Sequence, residues 1–447
     1  MEIVIATTNK GKFKEISSFF ARELPEIDLL SLKDFPYYPV VEEDGKTVEE
    51  NAVKKAVEYS KFFGLPVIAE DSALEVDALG GRPGIYSSRY GSDDRQRISR
   101  VLRELEGVPE GSRSAQFRCV TVFAVPGGKR YISTGVVEGR ILTEPVGSNG
   151  FGYDPIFFVD AFDKTFAQLL PEQKEEISHR GSALRGIVKF VKLYLLQEVI
   201  RHRGKVAVAF SGGMDSTFLL AVARDVSRDV VALFVDTPYI VEEQRISVQL
   251  LSHDMAVKLV TLKIDGMELA SVMENTKQRC YLCKKAMYSK MLSWCEEGGY
   301  QLLDGTNLTD THHDRPGIVA LRELGVYTPM LEVGLEKEEI TSLCEHLRIP
   351  LDTVYSNTCL LTRFPFGFSP SICLLRGVER VEAYLKLVGF SVIRVRVHDG
   401  GVCRIQVGKN EIDAICGREI SREIVQQCKD SGFEVATLDL EGYAFGR

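Results

Sequence analysis

The sequence lacks several features that would assign it to a specialised class of protein. No apolar run approaches the roughly 18 residues of a membrane-spanning helix, and the N-terminus carries no signal-like apolar segment. Long basic runs are missing and the formal net charge is -8, so we expect no binding to nucleic acid or membrane surfaces. The 10 cysteines are scattered, which indicates a cytoplasmic protein with reduced thiols.

The composition is that of a globular protein, and the chain is long enough for about three domains. The chain has 447 residues and a hydrophobic content of 45%. Helical periodicity runs from Ile187 to Arg203, and strand-like and helix-like segments then alternate to about residue 350. We predict an α/β domain at 1–197, a short junction at 198–204, a doubly wound parallel sheet at 205–368 and a small α+β domain at 369–447.

The N-terminus predicts a strand, an anion-binding loop and a helix. Ile3 to Ala6 form the strand, and the helix carries Phe13, Ile16 and Phe19 on one face. Hydroxyl, amide and ammonium groups at a helix N-terminus suit a triphosphate, although a solvated polar turn would look similar. The loop comprises Thr7, Thr8, Asn9, Lys10, Gly11 and Lys12.

Acidic residues follow a second apolar segment of this region. Val67 to Ala69 predict a strand that ends in Glu70-Asp71-Ser72, and Glu43 lies upstream. A carboxylate at the end of a buried strand is costly unless it is paired or bound to metal, so Asp71 and Glu43 are candidate Mg²⁺ ligands. A solvated acidic surface is the alternative.

Six motifs of this region occur in one order. They are Thr-x-Asn-x-Gly-Lys (7–12), Glu-Asn-Ala-x-x-Lys-Ala (50–56), Glu-Asp-Ser (70–72), Gly-Gly-x-Pro-Gly (80–84), Phe-Gly-Tyr-Asp-Pro (151–155) and Ser-His-Arg (178–180). Together they resemble the inosine triphosphate pyrophosphatase family, whose members hydrolyse noncanonical purine nucleoside triphosphates to the monophosphate and pyrophosphate. The resemblance implies that residues 1–197 fold as an ITPase-like α/β domain.

The resemblance also implies the roles of individual residues. Asp71 would act as general base and Mg²⁺ ligand, with Glu43 as the second ligand. The 7–12 loop, Lys55 and Ser72 would bind the triphosphate. The base would be stacked or read by Phe151, Gly152, Tyr153, Asp154, Lys174, His179 and Arg180. Members of this family form at least homodimers, so we expect a homo-oligomer.

A second strand, loop and helix unit opens the other half of the chain. Val206 to Phe210 predict the strand and Phe218 to Ala223 the helix. Glycines and hydroxyls between them suit a phosphate chain, but Gly-Lys-Ser/Thr of the Walker loop is missing. A Gly-Gly turn with a serine cap is the alternative. The loop resembles the PP-loop of ATP pyrophosphatases, which implies ATP contacts from Ser211, Gly212, Gly213, Asp215, Ser216, Asp304 and Asn307.

The whole second half resembles the LarE family of ATP-dependent sulfur transferases. The shared motifs are Ser-Gly-Gly-x-Asp-Ser (211–216), Arg-Cys-x-x-Cys-Lys (279–284), Asp-Gly-Thr-Asn (304–307), Arg-Pro-Gly (315–317), Cys-Leu-x-x-Arg-Phe-Pro (359–365) and Leu-Asp-Leu-Glu-Gly-Tyr (438–443). The family implies adenylylation of a pyridinium mononucleotide carboxylate and its conversion to a thiocarboxylate. Cys359 stands at the sulfur-donor position. Arg363, Arg394 and Arg396 would hold the acceptor's anionic groups, and strand alternation places the last two on one face.

The cysteines leave two chemistries open. Cys359 alone could acylate and then lose its sulfur, leaving dehydroalanine. Alternatively Cys280, Cys283 and Cys359 could ligate a [4Fe-4S] cluster that carries sulfide. The first two could also be plain surface thiols, and a closed zinc site lacks an evident fourth ligand. For the second half as a whole, tRNA thiolation, amide synthesis and an idle ATP- or AMP-sensing module remain alternatives.

Overall fold

The computed structural model describes residues 1–264, 266–312, 316–350 and 358–443. The chain divides into two compact units, Met1–Tyr194 and Leu195–Arg447. The division falls within a helix that runs from His179 to Arg201, so the predicted junction at 198–204 begins inside helical structure. The finer predicted boundaries stay predictions.

The first unit is built on an eight-stranded mixed sheet with the order β2-β1-β3-β5-β6-β7-β8, in which β4 pairs with β3. Only the pairs of β1 with β2 and β3 are parallel; the other strand pairs run antiparallel. The strands are β1 (Glu2–Ile5), β2 (Asp28–Ser31), β3 (Val67–Val76), β4 (Pro83–Gly84), β5 (Ser114–Ala124), β6 (Arg130–Ile141), β7 (Phe157–Val159) and β8 (Lys164–Thr165).

Five α-helices accompany this sheet. Helix α1 is separated from the end of the short β1 by four residues and buries Ile16, Phe19 and Phe20, as its periodicity predicts. Asn9 caps it, because its side chain accepts hydrogen bonds from the N–H groups of Gly11 and Lys12. The helices are α1 (Lys10–Glu23), α2 (Val48–Phe63), α3 (Asp94–Glu104), α4 (Pro171–Ile177) and α5 (His179–Arg201).

Strand β3 differs from its predicted length. It continues to Val76, so Glu70, Asp71 and Ser72 lie inside the strand and not at its end. The reason is the neighbouring strand β5, which pairs with β3 residue by residue from Val67 to Val76. Its other neighbour β1 pairs only as far as Ile68, so the acidic residues lie beyond the end of β1.

The second unit contains a four-stranded, fully parallel sheet. Its strands are β9 (Lys205–Ala209), β10 (Asp229–Asp236), β11 (Lys258–Lys263) and β12 (Gln301–Leu303). Their order is β11-β10-β9-β12. Strands β10 and β11 are therefore added on one side of β9, and β12 is added on its other side. The loops after β9 and β12 therefore leave neighbouring strands at the point where the strand order reverses, which is where open α/β sheets bind ligands.

The second unit also contains a three-stranded sheet formed by β13 (Ile393–His398), β14 (Val402–Val407) and β15 (Val435–Leu438). One hydrophobic cluster contains buried side chains of both sheets, among them Ala207, Val231, Val395 and Ile405. The helices are α6 (Met214–Val226), α7 (Glu242–Asp254), α8 (Ala270–Met273), α9 (Arg279–Gly298), α10 (Pro316–Glu323), α11 (Pro329–Glu332), α12 (Lys337–His346), α13 (Ile372–Leu387), α14 (Ile412–Ile415) and α15 (Arg418–Asp430). Within the described residues, no helix has the length and apolar character needed to cross a bilayer.

Candidate functional site

A cavity of about 500 Å³ lies in the first unit, beside the junction of β1 and α1. Every residue predicted to contact the purine nucleotide lines it except Lys10 and Gly11, and Glu43 and Asp71 line it as well. These predicted residues come from seven separate stretches of sequence and meet in one place. Several further residues line the cavity without a role predicted from the sequence, among them Tyr38, Tyr59, Glu70, Ser87, Ser88, Asp94 and Arg97.

A buried chain of alternating charges runs along the cavity. Lys12 Nζ lies 3.0 Å from Glu70 Oε1, and Arg180 grips the same carboxylate through Nε at 2.7 Å and Nη2 at 2.9 Å. Arg180 Nη1 donates to Glu15, and Lys174 Nζ lies 2.8 Å from Glu15 and 2.6 Å from Asp154. Glu15 lies outside the motifs, and Glu70 stands in the Glu-Asp-Ser motif without a predicted role, yet both are central to this network.

This pairing fixes the protonation states of the network. Burial opposes charge on Glu70, but Arg180 and Lys12 outweigh it and hold its pKa well below the ordinary value. Burial likewise opposes the charge of Arg180, but Glu70 and Glu15 hold its pKa well above the ordinary value. All three donor nitrogens of Arg180 face carboxylates, so the predicted reading of the base edge by Arg180 competes with these bonds.

Two carboxylates and one ammonium group form a second cluster in the cavity. Lys55 Nζ lies 2.6 Å from Glu43 Oε1 and 3.6 Å from Asp71 Oδ1, so Lys55 faces the carboxylates. Burial raises the pKa of Asp71, whereas Lys55 keeps the pKa of Glu43 low despite its partial burial. A carboxyl with a raised pKa accepts a proton more readily, which suits a general base.

The carboxylate pair fits a catalytic Mg²⁺ site that the substrate completes. Among the residues that the structure describes, no group of three or more His, Cys, Asp or Glu side chains could hold a metal ion. Mg²⁺ commonly binds through one or two carboxylates together with substrate phosphates, and Glu43 and Asp71 supply that number. The oxygen donors are also the type that Mg²⁺ prefers.

Aromatic rings form the other end of the cavity. The Phe151 ring lies against Gly11, where any side chain would collide with it, and Lys174 Nζ lies 4.8 Å from the ring centre. His179 stacks on Phe117 with ring centres 4.6 Å apart, and burial holds its pKa well below the ordinary value. Its Nδ1 is buried and has no hydrogen-bond partner within the described residues. His179 is therefore a neutral ring that lines the cavity, with its unused Nδ1 buried.

The loop that carries Phe151 is anchored by two carboxylates. Phe151 N donates to Asp154 Oδ2 at 2.8 Å, and Gly152 N donates to Asp94 Oδ2 at 2.8 Å. Asp154 was predicted to read the base edge, but here one of its oxygens supports the loop and Lys174. No sequence signal pointed to Asp94, because an acidic residue in the first turn of a helix is common.

A separate cavity of about 350 Å³ lies at the strand-order reversal of the second unit. Of the residues predicted to contact ATP, Ser211, Asp215, Ser216 and Asp304 line it, whereas Gly212, Gly213 and Asn307 do not. Gly212 has a φ of 76°, which only glycine adopts easily and which shapes the loop. Ser211 Oγ and Ser216 Oγ lie 3.2 Å apart across this turn.

Lys284 is a cation of this cavity to which the sequence analysis gave no role. Its Nζ donates to Tyr288 Oη at 3.2 Å, and Tyr288 Oη donates in turn to Asp304. All three residues line the cavity. Lys284 directly follows Cys283 in the Arg-Cys-x-x-Cys-Lys motif, so the motif itself was the signal that could have identified it.

The three candidate cysteines do not form a metal site in the described part of the chain. Cys280 is exposed, and Cys283 and Cys359 are partly buried. Burial raises the pKa of Cys283 to about 11 and also raises that of Cys359, so both are neutral thiols near pH 7. A bound iron would itself deprotonate a coordinating thiol, so the [4Fe-4S] cluster stays a prediction that the placement of these cysteines does not support. Cys359 is also not among the residues that line the cavity of Ser211.

Arg363 does not lie where a substrate anion could reach it easily. It is 1% exposed, and its Nε and Nη2 each lie 2.9 Å from an oxygen of Glu382. Its Nη1 donates to the carbonyl oxygens of Thr358 and Cys359, at 2.9 and 3.2 Å. Arg363 therefore braces the turn that carries Cys359, and its direct contact with the acceptor stays a prediction.

Arg394 and Arg396 lie on one face of β13, as alternation predicts, while Val395 and Val397 are buried on the other. Arg396 lines a cavity of about 520 Å³ together with Lys409 and Tyr443. Burial lowers the pKa of Arg396, and the nearby Arg394 and Arg404 lower it further. An anion would relieve this repulsion, although the carboxylates of Asp439 and Glu441 also line the cavity. The motif residue Arg315 lies outside the described residues.

Comparisons with known proteins bear on the first unit. The model of the Ham1 family matches residues 3–190. A dITP/XTP pyrophosphatase of Geobacter sulfurreducens is 51% identical over 185 residues, which are 41% of this chain and 92% of that protein. One of Desulforamulus reducens is 45% identical over 203 residues, 44% of this chain and 100% of that protein.

A solved structure of a HAM1 protein from Coxiella burnetii is 43% identical and covers 42% of this chain and 96% of its own, with a TM-score of 0.39. The resemblance of the first half to this family is confirmed by sequence identity over nearly the whole length of the relatives. Through residues 3–190, this chain belongs to the Ham1 family.

Proposed function

We propose that the first unit hydrolyses dITP, ITP and XTP to the nucleoside monophosphate and pyrophosphate in the presence of Mg²⁺. The observation that carries the proposal is the cavity of about 500 Å³ in which two carboxylates, the Lys12 loop and the Phe151–His179 end come together. The dITP/XTP pyrophosphatase of Geobacter sulfurreducens, 51% identical to this chain, supports the same substrate class.

In this mechanism, Asp71 accepts the proton of the attacking water. Its pKa is raised by burial, which brings the carboxylate closer to the basicity that proton transfer at neutral pH requires. Mg²⁺ bound by Asp71 and Glu43 would neutralise charge on the phosphate oxygens. Lys12 and the amide of Asn9 hold the triphosphate, and water cleaves it between the α and β phosphates.

The base is selected at its 6-position. Hypoxanthine and xanthine carry a 6-oxo acceptor, whereas adenine carries an amino group that cannot accept from a cation. An ammonium has three donors, and Lys174 directs two of them to Glu15 and Asp154. Its third donor can engage the 6-oxo group while Phe151 stacks on the ring. Guanine shares the 6-oxo group, so its rejection depends on the environment of the 2-amino group.

The test is pyrophosphate release from dITP, ITP, XTP, GTP and ATP by the full chain, with and without Mg²⁺. We expect the first three substrates to exceed ATP by about 1.5–3 kcal/mol in transition-state binding, roughly 10- to 160-fold, because a hydrogen bond to a charged group contributes about that much. Equal rates for dITP and ATP would contradict the assignment of Lys174. A full rate in the presence of a chelator would contradict the Mg²⁺ site.

We further propose that the second unit is an ATP-dependent sulfur transferase. Its support is the cavity at the strand-order reversal, which combines the hydroxyls of Ser211 and Ser216 with the cation of Lys284. The carboxylate of a pyridinium mononucleotide attacks the α phosphorus of ATP and pyrophosphate leaves. Arg394 and Arg396 hold the anionic groups of this acceptor.

Sulfur transfer then proceeds from the Cys359 side chain. The Cys359 sulfur, once deprotonated, displaces AMP and forms a thioester. Loss of the Cys359 α proton breaks the bond between Cβ and sulfur, which releases the thiocarboxylate and leaves dehydroalanine at position 359. Arg363 supports this step by holding the carbonyl oxygen of Cys359 at 3.2 Å. Because burial raises the pKa of Cys359, substrate binding must supply the charge that favours its thiolate.

Exchange of labelled pyrophosphate into ATP separates this proposal from its alternatives. We expect exchange only when a suitable carboxylate is present. A sensing module would show none, and an enzyme of tRNA thiolation would need tRNA. Amide synthesis would yield an amide from ammonia without any loss of protein mass, whereas the sacrificial route lowers the mass by one H₂S. If the protein mass is unchanged and the reaction requires added sulfide, the result would instead favour the predicted [4Fe-4S] cluster with three cysteine ligands.

A further inference from the structure

The beginning of helix α2 holds the segment that follows Glu43. Gly45 N donates to Asn51 Oδ1 at 2.8 Å, and Lys46 N donates to Glu50 Oε2 at 2.6 Å. Two consecutive backbone N–H groups thus bind two consecutive side chains of the helix. The segment is folded back onto α2, so these two contacts help to place Glu43, whose side chain also pairs with Lys55.

Asn51 also reaches the other carboxylate of the candidate metal site. Its Nδ2 donates to Asp71 Oδ2 at 3.5 Å, and its side chain is buried. Because Gly45 N–H fixes Oδ1, only the amide NH₂ can face Asp71. Lys55, one helical turn further along α2, lies 3.6 Å from Asp71 Oδ1. Each oxygen of Asp71 therefore faces a different residue of one helix face.

We propose that Asn51 is a positioning residue, which fixes the Glu43 segment and the Asp71 carboxylate relative to each other so that both bind one divalent cation. The inference rests on the pyrophosphatase function proposed above. Asn51 does not line the cavity and acts only through its two partners. Carboxylates from two distant segments bind one ion well only when their separation is set beforehand, and outer partners of metal ligands perform this task.

Two variants test the role by different routes. Asn51→Ala removes both hydrogen bonds. Gly45→Ala leaves every polar group in place, but its Cβ would lie 2.7 Å from Asn51 Oδ1 and 2.8 Å from Glu50 Cβ, so the amide must move. Gly111→Ala is the matched control, because a Cβ there meets nothing within 4 Å and the residue does not line the cavity.

Binding of Mn²⁺, followed by electron paramagnetic resonance of the free ion, provides a readout that does not depend on turnover. We expect both variants to weaken Mn²⁺ binding by about 10- to 100-fold and to raise by a similar factor the Mg²⁺ concentration that gives half-maximal dITP hydrolysis. Gly111→Ala should match the wild type in both measurements. If Asn51→Ala fails to fold, Gly45→Ala decides the question alone.

Two results would overturn the inference. Either both variants bind Mn²⁺ like the wild type, or they lose thermal stability with an unchanged Mg²⁺ requirement, which would make Asn51 purely structural. Failure of the proposed function looks different. In that case the wild type hydrolyses none of dITP, ITP and XTP, while the Mn²⁺ affinities of the variants still differ from that of the wild type.

Discussion

The substitution Glu70→Gln should cause a large loss of unfolding free energy, because it removes a buried charge. Glu70 is fully buried and accepts from Arg180 at 2.7 and 2.9 Å and from Lys12 at 3.0 Å. Glutamine keeps the shape but removes the charge, leaving two buried cations with too few anions. Removal of one partner from a buried ion pair costs about 3–5 kcal/mol of unfolding free energy.

The matched control is Glu175→Gln, which removes the carboxylate of an exposed pair. Arg22 Nη2 lies 2.6 Å from Glu175, a shorter distance than any contact of Glu70 given above, but the Arg22 side chain is 54% exposed. An exposed pair contributes about 0–1 kcal/mol. We therefore expect burial to determine which variant loses more unfolding free energy. Distance alone would predict a larger loss for Glu175→Gln than for Glu70→Gln.

Thermal unfolding followed by circular dichroism measures both effects. A unit of this size loses about 2–4 °C in Tm per kcal/mol, so we expect Glu70→Gln to lower the Tm of the first unit by about 6–20 °C and Glu175→Gln by about 4 °C or less. Trp294, the single tryptophan of the chain, reports on the second unit and serves as an internal reference. Equal losses in the two variants would refute the reasoning.

The pH dependence adds an independent check. Burial opposes the charge of Glu70, but Arg180 and Lys12 hold its folded-state pKa well below 4.5. A lowered pKa means that the stabilisation is complete above the unfolded-state value and is lost as the pH falls through the folded-state pKa. Glutamine does not titrate at this position. The stability difference between wild type and Glu70→Gln should therefore be constant at neutral pH and shrink below pH 4.5.

Three further predictions concern activity and organisation. Asp71→Asn should lower dITP hydrolysis by at least about 10²- to 10⁴-fold with the fold intact, because an amide is a poor base and a poor Mg²⁺ ligand; a near wild-type kcat would rule out Asp71 as the base. Division of the chain near Gly204 should give two soluble fragments, the first hydrolysing dITP and the second binding ATP, as gel filtration and the two assays would check; fragments that aggregate apart and recover when mixed would contradict this. Cys359→Ala should form acyl-adenylate but no thiocarboxylate, as mass spectrometry would detect, and thiocarboxylate formation by this variant would exclude both sulfur routes.

The residues of the first cavity could be predicted from the sequence for two reasons. Each motif spans only a few neighbouring residues, and the motifs imply contact with the same ligand. Thr7 to Lys12 form a helix N-terminus after a short strand, and that arrangement follows from nearby residues alone. The length of β3 could not be found in this way. Its extension to Val76 depends on pairing with β5, whose residues lie about fifty positions away in sequence. The acidic residues are therefore held inside a strand.

Charge partners are the other part of the site that the sequence could not supply. Arg180 and Arg363 both stand in motifs that imply contact with a ligand, and in the structure both engage a buried glutamate through Nε and Nη2. A motif specifies the type and position of a residue, but a guanidinium buried in the fold must first be neutralised by its own protein. Arg396 differs, because it donates to the neutral oxygens of Gln406 and Thr362 and lies near two other arginines. Arg396 therefore has an environment that an incoming anion would improve, whereas Arg363 braces the turn that carries Cys359.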